Sequence, residues 1–236
     1  MKVGNNINSK NALWNFGGNI PKNFVEHAKM SIPFYIEGHD LICSYSDYFV
    51  KENSICYELG SSTGELITKL AQRNYLKKNV NWIGLDSESK MVEYAKEYTK
   101  DLKNIKIICD DCTKYNFKKS DMIISYYCIQ FVFPKYRQQL INEIYNNLNW
   151  GGAFFFFEKV RASDARFQDI ATGWYSEWKE NNGFSAEEIL NKTKTLKGIL
   201  EPFSTQGNID LMKRAGFEDI ISIMKYSCFE GFLAIK

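Results

Sequence analysis

Residues 55–64, Ile-Cys-Tyr-Glu-Leu-Gly-Ser-Ser-Thr-Gly, limit the fold more than any other stretch of the chain. A short apolar run ends in an acid and passes into a turn of small residues, after which Leu66, Ile67, Leu70 and Ala71 recur at helical spacing. A strand therefore hands over to a helix N-terminus at Gly60–Gly64, where backbone N–H groups lack intrahelical partners and can face a bound molecule. A second apolar run, Trp82-Ile83-Gly84-Leu85-Asp86, also ends in an acid. That is the position from which α/β nucleotide folds hold a ribose. A third run, Ile107-Ile108-Cys109, leads into Asp110-Asp111. Three strands that each deliver a glycine turn or a carboxylate to one edge describe a nucleoside-like ligand lying across a parallel sheet.

The alternation continues down the chain. Patterning predicts strands at Ile55–Glu58, Asn81–Asp86, Ile105–Cys109, Met122–Ser125 and Ala153–Phe157, separated by helices at Thr63–Arg73, Glu88–Leu102 and Lys135–Leu148. The fold class is α/β, a doubly wound Rossmann-like sheet. Ahead of it, helices at Lys22–Met30 and Glu37–Val50 form a prefix broken at Ser31-Ile32-Pro33-Phe34-Tyr35. The first twenty residues, with Asn5, Asn6, Asn8, Asn11, Asn15 and Asn19 among Gly4, Gly17 and Gly18, show no periodicity; a loop or mobile segment able to fold over a ligand is expected. Between 161 and 200 two helical segments flank Asn181-Asn182-Gly183 with no strand, which reads as an arm or cap. The chain closes with a helix at Gln206–Ala215 and strands at Phe217–Lys225 and Cys228–Ile235, so closely connected that they must pair antiparallel. We read residues 1–236 as one domain, with 1–52 as an N-terminal lid and helical prefix and 161–200 as a helical arm.

A net charge of +2 gives no sign of a general nucleic-acid binder. The six cysteines lie mostly in apolar runs, and Cys109-x-x-Cys112 has no second pair to complete a zinc site, so reduced thiols and a cytoplasmic protein are expected. His27 and His39 lack metal-ligand spacing, and no metal is assigned. The longest apolar run falls far short of a bilayer span, so no membrane is expected as a partner.

Gly60-Ser61-Ser62-Thr63-Gly64 lacks the Gly-x-Gly-x-x-Gly pattern that seats a pyrophosphate. Glu58 argues the same way, because a carboxylate would repel a pyrophosphate but can hold the ammonium of an amino-acid tail. S-adenosylmethionine carries such a tail and no phosphate. Asp86 would then accept both ribose hydroxyls, and Asp111 with the Cys112 N–H would read the adenine edge. The blander reading, acids that merely solvate strand ends, suits any one of the three better than all of them in sequence.

These motifs, with Gly84-Leu85-Asp86-Ser87 and Met91 following, resemble the first three motifs of class I S-adenosylmethionine-dependent methyltransferases. Ser31-Ile32-Pro33-x-Tyr35, Ile129-Gln130-Phe131, Phe157-Glu158-Lys159, Asn182-Gly183-Phe184-Ser185 and Ala215-Gly216-Phe217 further resemble the carboxy-S-adenosylmethionine synthase family of the tRNA wobble-uridine pathway. The resemblance runs from about Asn23 to the C-terminus. It implies a seven-stranded sheet with an antiparallel last strand, a homodimer, a small-molecule second substrate and, through the pathway alone, a link to tRNA. It also implies a ligand set of Tyr35, Gly60, Ser61, Ser62, Asp86, Ser87, Asp111 and Cys112, to which Tyr126 is added from its place beside the sulfonium. Two positions depart. Tyr126 stands where the family has an Asn, and Thr193 where it has an Arg, with Lys192 and Lys194 beside it.

Catalytic candidates are Tyr126, Tyr175 and Glu158. A Tyr126 ring face can attract a cationic methyl group; Glu158, with Lys159 and Arg161, can orient an acceptor or move a proton. Against this, either tyrosine of Tyr126-Tyr127 can be core, Glu158 and Lys159 can simply pair, and Trp174 and Trp178 share a helix face that more often packs than stacks on substrate. The leading expectation is methyl transfer to a small molecule. Behind it stand carboxylation of the sulfonium methyl, intramolecular cyclisation, and a scaffold that binds the nucleoside without turnover. Thr193 and the Tyr126 ring favour an ordinary methyl sulfonium over its carboxylated form.

Overall fold

The computed structural model describes residues 1–5, 7–14 and 20–236, so the expectations resting on Asn6, Asn15, Gly17, Gly18 and Asn19 lie outside the described residues. Seven strands, β1 (Ile55–Leu59), β2 (Asn81–Asp86), β3 (Ile105–Cys109), β4 (Ser120–Tyr126), β5 (Leu148–Lys159), β6 (Asp219–Tyr226) and β7 (Phe229–Ile235), form one sheet in the order β3-β2-β1-β4-β5-β7-β6. β1 to β5 pair in parallel, and β7 runs antiparallel between β5 and β6. The strand order reverses between β1 and β4, which opens a crevice beyond their carboxyl ends.

Four consecutive phenylalanines show how β5 divides the core. Side chains alternate across a strand, so Phe155 and Phe157 join one hydrophobic layer while Phe154 and Phe156 join the other. The first layer is covered by α1 (Ile20–Ser31), α2 (Tyr35–Phe49) and α3 (Glu65–Arg73), through Ile42, Leu66, Ile67 and Leu70, with Val92 and Ala95 of α4 (Ser89–Tyr98). The second is covered by Leu140, Ile141 and Ile144 of α5 (Pro134–Asn147) and Leu211 and Met212 of α8 (Thr205–Ala215). The arm is α6 (Ala165–Asn181) and α7 (Ala186–Thr195), each begun by a side-chain cap. Asp164 accepts from the Phe167 N–H, and Ser185 forms a capping box with Glu188.

Three expectations need correction. The strand read from Ala153 to Phe157 runs from Leu148 to Lys159 and takes in Gly151-Gly152, where Gly151 N–H donates to the Lys236 carbonyl at 2.7 Å and the Gly152 carbonyl accepts from the Lys236 N–H at 3.1 Å. The helix read to Leu102 ends at Tyr98, where the Thr99 hydroxyl bonds back to the Ala95 carbonyl. The opening segment, expected as loose, is packed. Val3, Ile7 and Trp14 are buried with Ile20 and Met91, and the Ala12 and Trp14 amides donate to the carbonyls of Lys194 and Thr195 on the arm. Isolated apolar residues among asparagines carry no period, yet a few buried side chains and two backbone bonds suffice to fix such a segment.

Candidate active site

A cavity of about 1270 Å³ fills the crevice between the sheet edge, α1, the arm and the opening segment. All nine residues named for the nucleoside, Tyr35, Gly60, Ser61, Ser62, Asp86, Ser87, Asp111, Cys112 and Tyr126, line it. Gly60 has φ +68°, and a Cβ there would meet Cys128 Sγ at 2.6 Å, so both the turn and the close approach require glycine. Gly84 serves the same turn from β2, since a Cβ on it would meet the Ser61 side chain at 2.8 Å.

Asp86 is held by two backbone donors, Ser62 N–H to Oδ2 at 2.8 Å and Glu88 N–H to Oδ1 at 2.9 Å. Each oxygen keeps acceptor capacity. Burial raises its pKa, opposed by those two N–H groups. Asp111 accepts from the Thr113 N–H at 2.9 Å and hydroxyl at 2.7 Å and pairs with Lys114 at 3.2 Å. Its pKa is lowered, because although burial acts upward these donors outweigh it. Glu58 is buried, and burial pushes its pKa well above the usual carboxylate range; Oε2 has no partner among the described residues. The buried Ser61 hydroxyl is likewise unpartnered. An ammonium and a polar ligand edge are the groups that would satisfy these two atoms, so the residues fit the nucleoside sulfonium that the sequence implies.

The catalytic candidates separate. Tyr126 lines the cavity, but its hydroxyl donates to the Tyr35 carbonyl at 2.6 Å and its ring packs among Tyr35, His39, Tyr127 and Phe157. Tyr175 lines the cavity too, its hydroxyl tied to the Ser31 carbonyl at 2.7 Å and its ring stacked on Trp178. Glu158 must be corrected, because it does not line the cavity. It is buried beneath the short 3₁₀ turn Ile129–Phe131, where burial raises its pKa to about 8 against the pull of Arg137. Nor does it pair with Lys159. Trp174 packs edge-on against Tyr226, on the body of the protein.

Sequence reasoning weighed Tyr127 as a core residue and left it out of the site, yet it lines the cavity. Its backbone is left-handed at φ 56°, its ring packs against Phe229, and its buried hydroxyl has no partner among the described residues. A left-handed backbone on a bulky residue is strained, and such positions gather at functional sites. Missed altogether was a latch at the cavity roof. Lys192 Nζ donates to His27 Nε2 at 2.6 Å and lies 3.3 Å from the Trp14 ring centroid, while His27 Nδ1 bonds Asn5 Oδ1 at 2.9 Å. Burial, then the Lys192 charge, lowers the His27 pKa to about 3. Thr193 lies at the rim, exposed, with its hydroxyl bonded to the Ile189 carbonyl. No group of His, Cys, Asp or Glu among the described residues could hold a metal, and none of their helices is long and apolar enough to cross a membrane.

A parallel sheet with one antiparallel last strand, a glycine turn after β1 and acids after β2 and β3 define a class I S-adenosylmethionine-dependent enzyme fold. Residues 57–152 match the family model described as a methyltransferase domain. The chain is 35% identical over 224 residues to a carboxy-S-adenosyl-L-methionine synthase of Staphylococcus epidermidis, covering 94% of this chain and 97% of that one. It is 31% identical over 222 residues to the protein of that name from Campylobacter lari, covering 94% of each. The chain belongs to the carboxy-S-adenosyl-L-methionine synthase family. Among solved structures it is similar in fold to a SAM-dependent methyltransferase of Aquifex aeolicus, with TM-score 0.59, 14% identity, and 91% and 97% of the two chains covered. It is also similar to human N-acetylserotonin methyltransferase, with TM-score 0.53, 17% identity, and 78% and 47% covered.

Proposed function

We propose that the protein is a SAM-dependent enzyme that transfers the sulfonium methyl group to a small-molecule acceptor held between the sheet edge and the arm. The observation that carries the reading is the buried, unpartnered Glu58 Oε2 beside a turn whose Ser62 N–H fixes Asp86. Glu58 would take the ammonium of the amino-acid tail, Asp86 the ribose hydroxyls, and Asp111 with the Cys112 N–H the adenine. When bound, S-adenosylmethionine supplies an electrophilic methyl group. The chain's contribution is to hold the acceptor in line and to exclude water with the opening segment and the arm, and such positioning can supply much of a rate enhancement. Glu158, off the cavity, is given no part. Soluble, cytoplasmic residence and a homodimer belong to this reading.

Carboxylation of the methyl group, after the name of the relatives, is the second reading. Lysines at the arm end of the cavity favour it, since a carboxylate buried there would need cations. Mass spectrometry of the nucleoside after incubation with S-adenosylmethionine, with candidate acceptors or the carboxyl donor prephenate, separates the two. S-adenosylhomocysteine with a methylated acceptor is the expected outcome. A carboxylated sulfonium replaces methyl transfer with the second reading, and a wild-type protein that binds neither nucleoside by calorimetry overturns both.

A further inference from the structure

Two lysines bring their ammonium groups to one aromatic ring. Lys159, at the end of β5, has Nζ 4.1 Å from the Tyr175 ring centroid, and Lys179, four residues along α6, has Nζ 4.3 Å from the same centroid. Both line the cavity, and Lys179 is only 8% exposed. Among the described residues neither lysine meets a carboxylate at ion-pair distance. Like charges gathered away from water repel, and the Tyr175 face offsets only part of that cost. Burial is the larger influence on both proton affinities. Burial, then Lys159, lowers the Lys179 pKa to about 8, and burial lowers that of Lys159. Tyr127 and Tyr175 both pack on Phe229, and the unpartnered Tyr127 hydroxyl adds a neutral donor to the same cavity.

The geometry points to a subsite for an anionic group of the second substrate, a carboxylate or a phosphate, formed by Lys159 and Lys179 on the Tyr175 ring. The inference rests on the reading that the opposite end of the cavity takes the nucleoside. The subsite lies on β5 and α6, a different wall from Thr193 on α7, whose hydroxyl is already bonded within its own helix. An anion there relieves the repulsion between the lysines and supplies the partner that the fold lacks. The groups facing Lys179 are Lys159 from β5, Cys228 from the turn between β6 and β7, and Lys192 from α7 with His27 of α1 bonded to it. With Lys179 titrating near 8 in that company, anion affinity falls as the pH rises from 7 to 9.

The test uses the full chain saturated with S-adenosylhomocysteine and titrates malonate, inorganic phosphate and the neutral malonamide by calorimetry. We expect malonate or phosphate to bind at pH 7, malonamide not to bind, and affinity to drop at least tenfold in Lys179→Met and in Lys159→Met. Lys179→Arg should keep the affinity and abolish its fall above pH 8. Binding of malonate alone assigns the subsite to carboxylates, and of phosphate alone to phosphoryl groups. A wild type that binds neither anion, or a Lys179→Met protein that binds as well as wild type, overturns the subsite. S-adenosylhomocysteine binding, measured first on every variant, reports folding and tests the nucleoside reading separately.

Discussion

The two ends of the cavity are built on opposite plans. The sheet end consists of carboxylates and backbone N–H groups, with Asp86 fixed by two amides and Asp111 by Thr113 and Lys114. The arm end consists of cations and rings, with Lys159, Lys179 and Lys192 resting on Tyr175 and Trp14. At the sheet end Asp86 and Asp111 already have donors, and Glu58 Oε2 and the Ser61 hydroxyl are left for the ligand's tail. At the arm end the lysines have ring faces and one neutral imidazole. Acids fixed by backbone donors suit the part of a ligand that does not change, and cations without a carboxylate suit the part that supplies its own charge.

The sharpest way to break the comparison is Asp86→Ala. It removes the Asp86 acceptors at the sheet end and should weaken S-adenosylhomocysteine by about 1–3 kcal/mol, roughly fivefold to 150-fold, by calorimetry. Unchanged affinity would mean that the acids merely solvate strand ends.

Next comes Lys179→Met, expected to stabilise the unliganded protein by about 1–3 kcal/mol at pH 7 in urea unfolding. The sign follows from proton binding. The fold releases the Lys179 proton near pH 8 and the unfolded chain near 10.5, so wild-type stability rises between those values and the gain from Met disappears above them. A variant less stable than wild type at pH 7 would make the lysine a structural partner.

Tyr126→Phe should lower stability by about 0.5–1.5 kcal/mol through the lost bond to Tyr35 and leave turnover intact, because the ring remains. Loss of turnover at unchanged melting temperature would return the hydroxyl to catalysis. The smallest effect concerns residues 1–14, where hydrogen exchange should slow modestly when nucleoside binds, since their cluster with Met91 is already formed. Equal exchange with and without ligand would end the lid.

The sheet end was legible because its parts are local. A strand, a small-residue turn and a helix lie within some twenty residues, and the acids at Asp86 and Asp111 follow apolar runs whose period identifies them as strand ends. Element order and the antiparallel final strand followed for the same reason, with boundaries shifted where the Thr99 side chain or the bonds of Lys236 intervened. Glu58 was legible as an acid before a turn, but its buried, unpartnered oxygen was not.

The arm end is assembled from distant parts, and a linear pattern does not carry such contacts. Tyr175 meets Ser31 across 144 residues, Lys192 meets His27 across 165, and Tyr126 meets Tyr35 across 91. From sequence, Glu158 and Lys159 were neighbours at a strand end; in the fold, pleating sends one beneath the 3₁₀ turn and the other onto the Tyr175 ring. The sequence by itself therefore determined the sheet, its glycine turn and the acids along its edge, because hydrophobic period and turn chemistry act over a few residues. Only the tertiary structure decided which side chains of the prefix, β5 and the arm share a cavity, and which of their charges are left without partners, because those depend on helices packing across the whole chain.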